Sequence, residues 1–432
     1  MALSTLPYKG SRDFYPEDKR LQKWMFARWR EVCESFGYEE IDAPLIEPME
    51  LYRAKTGEEI VNEQTYNFTD RGGREVAIRP EMTPSVSRMV AGQRQELAYP
   101  ARWYSIPNMW RYERPQKGRL REHWQLNVDI FGVETIDAEL ELITIANAIM
   151  KSFGAAKDMF EIRVNSRRLM DLIFTDYLAL DAVQSTMMAK LFDRKAKMPE
   201  DSFLREAAGI FDQADEGMDK LQKLLDAKSL ADMPDAIVQS SSMREIQLLF
   251  TGLKENGVAN ARFDVSLMRG FDYYTDIVFE VYDTNEENSR SLFGGGRYDG
   301  LVGLFGVDNL PTAGFGMGDV TLKDFLEGHE LLPKLASETD AYLVVIGDIL
   351  RQAQGVASLL RNEGVNVAVD VTSRPVDKQI KTAVKKNIRH AIFIGEQELA
   401  DEQFTLKDLE SGQEDKHSIE RIVSVLLDAR AK

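Results

Sequence analysis

Residues Arg111 to Asp129 read RYERPQKGRLREHWQLNVD. Arg111, Arg114, Lys117, Arg119 and Arg121 fall within eleven residues, and the chain then alternates through Trp124-Gln125-Leu126-Asn127-Val128-Asp129. Alternation of period two marks a strand with one buried face. Pro115 presets φ and Gly118 tolerates a tight return, so the stretch predicts two antiparallel strands joined by a turn. Two readings of its charge stand side by side. One is a floor for an anionic ligand such as a triphosphate; the other is a solvated basic hairpin.

The surroundings of that basic stretch are acidic. The chain of 432 residues carries 54 Lys and Arg against 71 Asp and Glu, a formal net charge of −17. Bulk acidity argues against a sequence-blind DNA binder, whose affinity comes from many phosphate contacts, but leaves room for local basic patches. The length allows two or three domains with their own cores, and 44% hydrophobic residues is ordinary for a globular chain. Cys33 is the single cysteine, which removes disulfide frameworks and thiolate metal clusters. His123, His329, His390 and His417 are too dispersed to suggest a zinc site, and no metal ligands are expected from protein side chains. No apolar run reaches membrane-spanning length and Met1 to Gly10 lacks a signal-peptide core, so a cytoplasmic protein is expected.

Outward from the hairpin, Pro16 and the acids after it predict a helix start. Leu21, Trp24, Met25, Trp29, Val32 and Phe36 continue it at helical spacing to Gly37. A short strand over Tyr38–Ile46 follows, then a helix over Leu51–Asn62 and a hairpin turning at Asp70-Arg71-Gly72-Gly73. Its second strand delivers Glu81 and Thr83 to the start of a helix at Ser85. There they either face a ligand or, in the case of Thr83, cap that helix. Ile136–Phe153 reads as an amphipathic helix, Phe160–Asn165 as a strand, and Ser166 to about Asn260 as almost wholly helical. Strands are predicted again at Phe263–Ser266 and Ile277–Tyr282, and Gly294-Gly295-Gly296, placed between a strand and a helix, allow close backbone approach either to a ligand or to a packed strand. Gly314, Gly316 and Gly318 fall on one face of a strand, giving either a flat seat for a planar ring or close packing against a helix. Beyond a break at Leu332–Thr339, alternating strands and helices predict a small α/β unit with a mostly parallel sheet. Its Lys378, Lys381, Lys385, Lys386 and Arg389 suit RNA contact or plain solvation.

RPEMT at Arg79–Thr83, RYERPQKGR at Arg111–Arg119 with Gln125 and Asp129 behind it, RGFDYYT at Arg269–Thr275, GGGRYDGL at Gly294–Leu301 and GFGMG at Gly314–Gly318 stand in a fixed order. In that order and spacing the chain resembles the class II aminoacyl-tRNA synthetases, and within them the histidyl-tRNA synthetases, from Tyr8 to its C-terminus. The resemblance implies an α+β catalytic domain over residues 1–333, with a six- or seven-stranded antiparallel sheet flanked by helices and a helical insertion at about 170–260. It also implies a C-terminal α/β anticodon-binding domain over 338–432, which includes KDLESGQ at Lys407–Gln413. A homodimer is implied, with Phe36–Pro44 in the dimer-forming motif.

The implied reaction has two steps: L-histidine attacks the α-phosphate of ATP, which arrives with Mg2+, and the aminoacyl group then passes to the terminal adenosine of tRNA(His). By the same resemblance Arg111 and Arg269 are catalytic, gripping the α-phosphate from two sides, and Arg111 also meets the histidine carboxylate. Glu113 holds the adenine side, and Arg119, Arg121, His123, Gly316 and Gly318 complete the ATP site. Glu81, Thr83, Gln125, Asp129 and Tyr274 hold the ammonium and imidazole of histidine, with Tyr273 and Tyr298 beside them. Arg114, Gln116 and Lys117 reach tRNA, and neither membrane nor DNA is a partner.

Two positions depart from the family pattern. The third motif normally ends in an arginine that holds the γ-phosphate, but Gly318 is followed here by Asp319-Val320-Thr321. That contact is expected to shift to Arg119, Arg121 or His123. Asp129 stands where the family often has glutamate. The rival reading is a histidine-sensing regulatory subunit of ATP phosphoribosyltransferase, a non-catalytic relative that typically lacks the C-terminal domain. A synthetase for glycine, threonine or proline would not explain RGFDYYT.

Overall fold

The computed structural model describes residues 3–53, 63–195, 198–227, 230–268, 274–285, 287–288 and 290–430. Part of the expected helix over Leu51–Asn62 lies outside them; Met49–Arg53 is helical. The chain divides into two compact units, one ending at Leu332 and one beginning at Pro333.

Among the described residues the first unit holds twelve strands: β1 (Glu39–Glu40), β2 (Ile46–Pro48), β3 (Tyr66–Thr69), β4 (Glu75–Ile78), β5 (Ala101–Ser105), β6 (Asn108–Trp110), β7 (Glu122–Phe131), β8 (Phe160–Ser166), β9 (Ala261–Phe263), β10 (Ile277–Asp283), β11 (Ser291–Arg297) and β12 (Thr312–Gly318). Nine of them form one sheet in the order β1-β5-β7-β12-β11-β10-β8-β9, with β6 paired to β7 off that path. The six central strands are antiparallel, while β1 and β9 add parallel edges. The basic stretch is indeed a hairpin, β6 to β7, with Gly118 in the left-handed region at φ +75°. The glycine triplet departs from its expected place: Gly294 to Gly296 lie inside β11, where they pair with both neighbouring strands. The strand expected at Phe263–Ser266 sits two residues earlier and ends at Phe263.

One face of this sheet is aromatic. Phe279 of β10 and Phe315 of β12 oppose Gly295 across β11, and their ring centroids lie 5.9 Å apart. The helices Pro16–Ser35 and Asp137–Ser152 cover that face, burying Met25, Trp29 and Cys33 from the first and Leu142, Ile145, Ala146 and Ile149 from the second. The first helix starts at Pro16 and stops before Gly37, whose φ of +78° only glycine adopts without strain. Burial pushes the Cys33 thiol up to about 12, so it is an inert core residue. Between Arg167 and Glu255 the described residues are helices and turns, capped by Ser166, by Asp181 with Gln184 in a reciprocal box, and by Ser240.

The second unit holds β13 (Ala341–Val345), β14 (Val367–Val369), β15 (His390–Ile394), β16 (Phe404–Asp408) and β17 (Glu414–His417), in the order β14-β13-β15-β16-β17. The first three are parallel; β16 and β17 are antiparallel, and β17 has no apolar face to announce it. Ala341, Leu343, Leu360, Ile392, Ile394 and Ile422 form its core.

Arg297, at the end of β11, shows what holds the sheet to its helical layer. It is 4% exposed and meets Glu139, 0% exposed, through Nε to Oε1 at 2.6 Å and Nη2 to Oε2 at 2.8 Å. Its Nη1 donates to Val133 O and its Nη2 to Thr135 O, both at 2.9 Å. Removing one partner from a buried, fully bonded pair strands the other charge. Glu139→Ala should therefore lower unfolding stability by about 3–5 kcal/mol, read as a shift in denaturant midpoint.

Candidate active site

The opposite face of the sheet is floored by glycine. Gly314 lies between Asp129 of β7 and Gly296 of β11, and Gly316 between Asn127 and Gly294. Gly318 pairs with Gln125 and Glu280 with Gly294. A Cβ on Gly316 would run into the Gln125 amide, and one on Gly314 into the Asp129 carboxylate. On Gly294 it would lie 2.5 Å from Phe279 O, and on Gly296 2.5 Å from Ile277 O. The glycines therefore leave a trough, and the polar side chains of β7 fold over it. The alternative of helix packing against Gly314 and Gly316 does not hold.

This trough is the base of a cleft of about 1460 Å³. Of the residues expected to hold histidine, Glu81, Thr83, Arg111, Gln125, Asp129, Tyr274 and Tyr298 line it. Of those expected at ATP, Arg111, Glu113, Arg119, His123, Gly316 and Gly318 line it. Arg269 and Tyr273 lie outside the described residues. Thr83 is the first residue of the helix Thr83–Gly92, whose N-cap is Met82 with no side-chain capping bond. The capping reading of Thr83 thus gives way to the cleft-facing one.

Asp129 is 4% exposed and accepts a short hydrogen bond from the Tyr298 hydroxyl. Burial raises its carboxyl to about 7, against the lowering effect of that bond. Tyr274, whose ring centroid is 6.4 Å from that of Tyr298, is pushed up by burial first and then by the nearby Glu81, Asp129 and Glu280 carboxylates. Arg111 is anchored by Nε to Pro80 O at 2.8 Å and by its backbone N–H to Arg121 O at 2.8 Å. Glu113 and Arg119 approach to 3.4 Å.

His123 is lowered to about 3 by burial, then by Arg111 and Arg12. In the ligand-free protein it is therefore a neutral imidazole at physiological pH. Arg121 departs from its expected place. It lies just ahead of β7, with its carbonyl accepting from Arg111 N at 2.8 Å. Its guanidinium instead stacks 4.0 Å from the Tyr112 ring centroid, and among the described residues it is not part of the cleft wall. Of the three residues expected to replace the third-motif arginine, Arg119 alone brings a cation to that wall. Thr321 lines the cleft with its hydroxyl donating to Leu292 O at 2.7 Å, tying the helix Asp319–Gly328 to β11. Asp319 turns away, accepting from Arg12 Nη2 at 2.7 Å and from Trp124 N at 2.9 Å. Arg114, Gln116 and Lys117 are on the hairpin loop outside the cleft lining, where Gln116 bridges to Arg119.

Several cleft residues are not among those expected from the sequence. Asn127 shares the period-two face of Gln125 and Asp129, so alternation alone could have named it. Glu280 is placed by its register against Gly294. Lys190 and Arg194 come from the helix Ala182–Arg194, where with Thr186 and Asp193 they make one stripe at helical spacing. Any solvated helix has such a stripe, so only the tertiary structure marks this one.

The chain is similar to known proteins along nearly its whole length. A family profile described as "Histidyl-tRNA synthetase" matches residues 10–320, and one described as "Anticodon binding domain" matches residues 340–429. A histidine–tRNA ligase of Leptospira biflexa is 45% identical over 95% of this chain and 94% of its own. In fold, the chain is similar to a histidyl-tRNA synthetase from Nostoc sp. PCC 7120, with a TM-score of 0.85 at 23% identity over 99% of this chain and 100% of that one. It is also similar to an "ATP phosphoribosyltransferase regulatory subunit/histidyl-tRNA synthetase" from Bacillus halodurans C, with a TM-score of 0.74 at 23% identity over 91% and 99%. Both readings that the sequence left open thus share this fold, and what separates them is the extent and identity of the sequence match. On that match, which covers residues 10–320 and 340–429 of the two units, the chain belongs to the histidyl-tRNA synthetase family.

Proposed function

We propose that this chain is a histidine–tRNA ligase that activates L-histidine with ATP and transfers it to tRNA(His). The observation that carries the reading is a single cleft in which Gln125 and Asp129 fold over the glycine floor while Arg111 and Glu113 stand in its wall. In the first step a carboxylate oxygen of histidine attacks the α-phosphorus, the bond to pyrophosphate breaks, and histidyl-adenylate remains. In the second, a hydroxyl of the terminal adenosine of tRNA attacks the acyl carbon and AMP leaves. The regulatory reading is weaker, because relatives matched along nearly the whole chain carry the ligase name.

The roles carried over from the family pattern are chemically consistent with these residues. Arg111, held on Pro80 O, is preorganised to meet charge that grows on the α-phosphate in the transition state. Arg269, assigned from the family pattern, takes the other side. Glu113 holds the adenine side. Gln125, Asp129 and Tyr274 read the imidazole: an analogue without ring nitrogens would leave their buried polar groups unpaired. Glu81 faces the ammonium group, with Thr83 beside it. Among the described residues no cluster of three or more His, Cys, Asp or Glu could hold an ion, and Mg2+ is taken to enter with ATP as part of the substrate. No described helix is long and apolar enough to cross a membrane. The reading puts the chain in the cytoplasm, where its substrates meet. It works as a homodimer through the Phe36–Pro44 segment, next to which Leu45 and Ile46 are 43% and 47% exposed.

Two experiments test this. The purified chain should exchange pyrophosphate into ATP only when histidine is added, and Arg111→Ala should slow that exchange by about 10²–10³-fold. Histidine binding without any exchange would favour the regulatory subunit instead. Asp129 supplies the second test, because its folded value near 7 stands above the unfolded carboxylate range. The stability associated with its protonated form is complete below about pH 4 and disappears as pH rises through 7. Asp129→Asn should therefore stabilise the ligand-free protein at pH 8 by a few kcal/mol in order of magnitude and leave it unchanged at pH 4. The same variant should raise the KM for histidine about ten-fold or more, since a charge-assisted bond to the substrate is lost. Equal thermal midpoints at both pH values would contradict the assignment.

A further inference from the structure

The N-terminal segment Tyr8–Phe14 touches the catalytic sheet at the base of the β6–β7 hairpin. Ser11 N donates to Tyr8 O at 2.9 Å, closing a turn in which Gly10 takes φ +88°. Gly10 O then accepts from two successive backbone donors of the hairpin, Arg121 N at 2.9 Å and Glu122 N at 3.2 Å. The approach is close enough that a Cβ on Gly10 would lie 2.8 Å from Arg121 Cγ. Both the dihedral and the space call for glycine here.

Arg121 is the side chain that this turn encloses. Its guanidinium carbon is 4.0 Å from the Tyr112 ring centroid and 5.6 Å from that of Tyr8. Its Nη1 donates to the Tyr8 hydroxyl at 3.0 Å and its Nε to Glu113 O at 3.1 Å. Its own carbonyl accepts from Arg111 N at 2.8 Å, and Glu113 N donates to Arg111 O at 2.7 Å. One residue therefore binds the backbone at both Arg111 and Glu113, the two wall residues that the proposed function assigns to the α-phosphate and the adenine. Tyr66 buttresses the stack from behind, 5.4 Å from Tyr112 and 6.4 Å from Tyr8 by ring centroid.

We propose that Arg121, clasped by Tyr8 and Gly10, is a positioning residue that sets Arg111 and Glu113 for ATP without touching the nucleotide itself. A planar guanidinium suits this task because it stacks on rings while forking to two acceptors; a lysine ammonium cannot do both. Misplacing a phosphate-gripping group by an ångström is enough to weaken productive binding severely. The inference rests on the ligase reading for the identity of the nucleotide.

The test uses the full chain, with ATP affinity measured by calorimetry and KM values for ATP and histidine measured in pyrophosphate exchange. Arg121→Ala and Gly10→Ala should each weaken ATP binding about ten-fold and leave the histidine KM within about two-fold. Tyr8→Phe, which removes one hydrogen bond, should weaken it about three-fold, and Arg121→Lys should remain near the alanine variant. Unchanged ATP affinity in Arg121→Ala overturns the proposal. So does a defect in Arg121→Ala that neither Gly10→Ala nor Tyr8→Phe shares, because that pattern means direct contact with phosphate. If Arg121→Ala does not fold, normal ATP affinity in both of the other variants is decisive against the clasp. Failure of the unaltered chain to exchange pyrophosphate bears on the ligase reading alone, since calorimetry still reads the clasp.

Discussion

The register that sets Gly314 opposite Asp129 and Gly316 opposite Asn127 is the constraint on which the cleft depends. A strand pair shifted by one residue would turn every side chain to the other face. Phe315 would then point into the trough and the glycines into the aromatic layer. In the observed register the two faces of the central strands have opposite characters, with Phe279 and Phe315 beneath and Gly294, Gly296, Gly314 and Gly316 above. The aromatic face supplies the burial that holds the sheet, so the other face can forgo side chains. That is also why Asp129 is deep enough for its carboxyl to rise to about 7.

Arginine has several separate uses in this acidic chain, and residue type alone does not distinguish them. Arg297 is a buried strut bonded to Glu139 and two carbonyls. Arg79 does similar work, donating to Asn108 O at 2.9 Å and Ala43 O at 2.6 Å. Arg12 anchors Asp319 at the start of the helix that follows β12, and Arg121 is stacked between tyrosines. Arg111 and Arg119 remain for the cleft wall. A run of basic residues thus contains both cleft-lining and structural members.

What was legible in the sequence follows the range of the interaction that fixes it. The helix Pro16–Ser35, the strand Thr312–Gly318 and the β6–β7 hairpin are written in local periodicity and turn residues, and they stand close to where those signals put them. The family motifs carried the cleft residues further than periodicity could, because each motif specifies spacing between segments that meet only in the fold. Strand β17, although it follows β16 closely, has no apolar alternation to mark it, while the parallel edges β1 and β9 are decided by partners distant in sequence. The glycine triplet misled for the same reason: three glycines suit a strand–helix junction as well as a strand interior, and only pairing on both sides selects the second. Thr83 read equally well as a cap until the helix start placed Met82 at the capping position.

The cleft brings acceptors and cations together from different elements, which suits the substrates of the proposed reaction. Acceptors come from the floor and its rim: Asp129 on β7, Glu280 on β10 and Glu81 before the helix Thr83–Gly92. They suit an ammonium and a ring N–H. Cations come from the walls: Arg111 and Arg119 from the hairpin, and Lys190 and Arg194 from the helix Ala182–Arg194. They suit phosphate. With His123 neutral and Thr321 tied to Leu292 O, the first turn of the helix after β12 carries no side-chain cation into the cleft. The charge that the third motif of the family normally supplies from the sheet side has to come from the walls here. Under the proposed function, phosphate binding then depends on how the hairpin is held, and at its base Arg121 bonds to Tyr8 and Gly10.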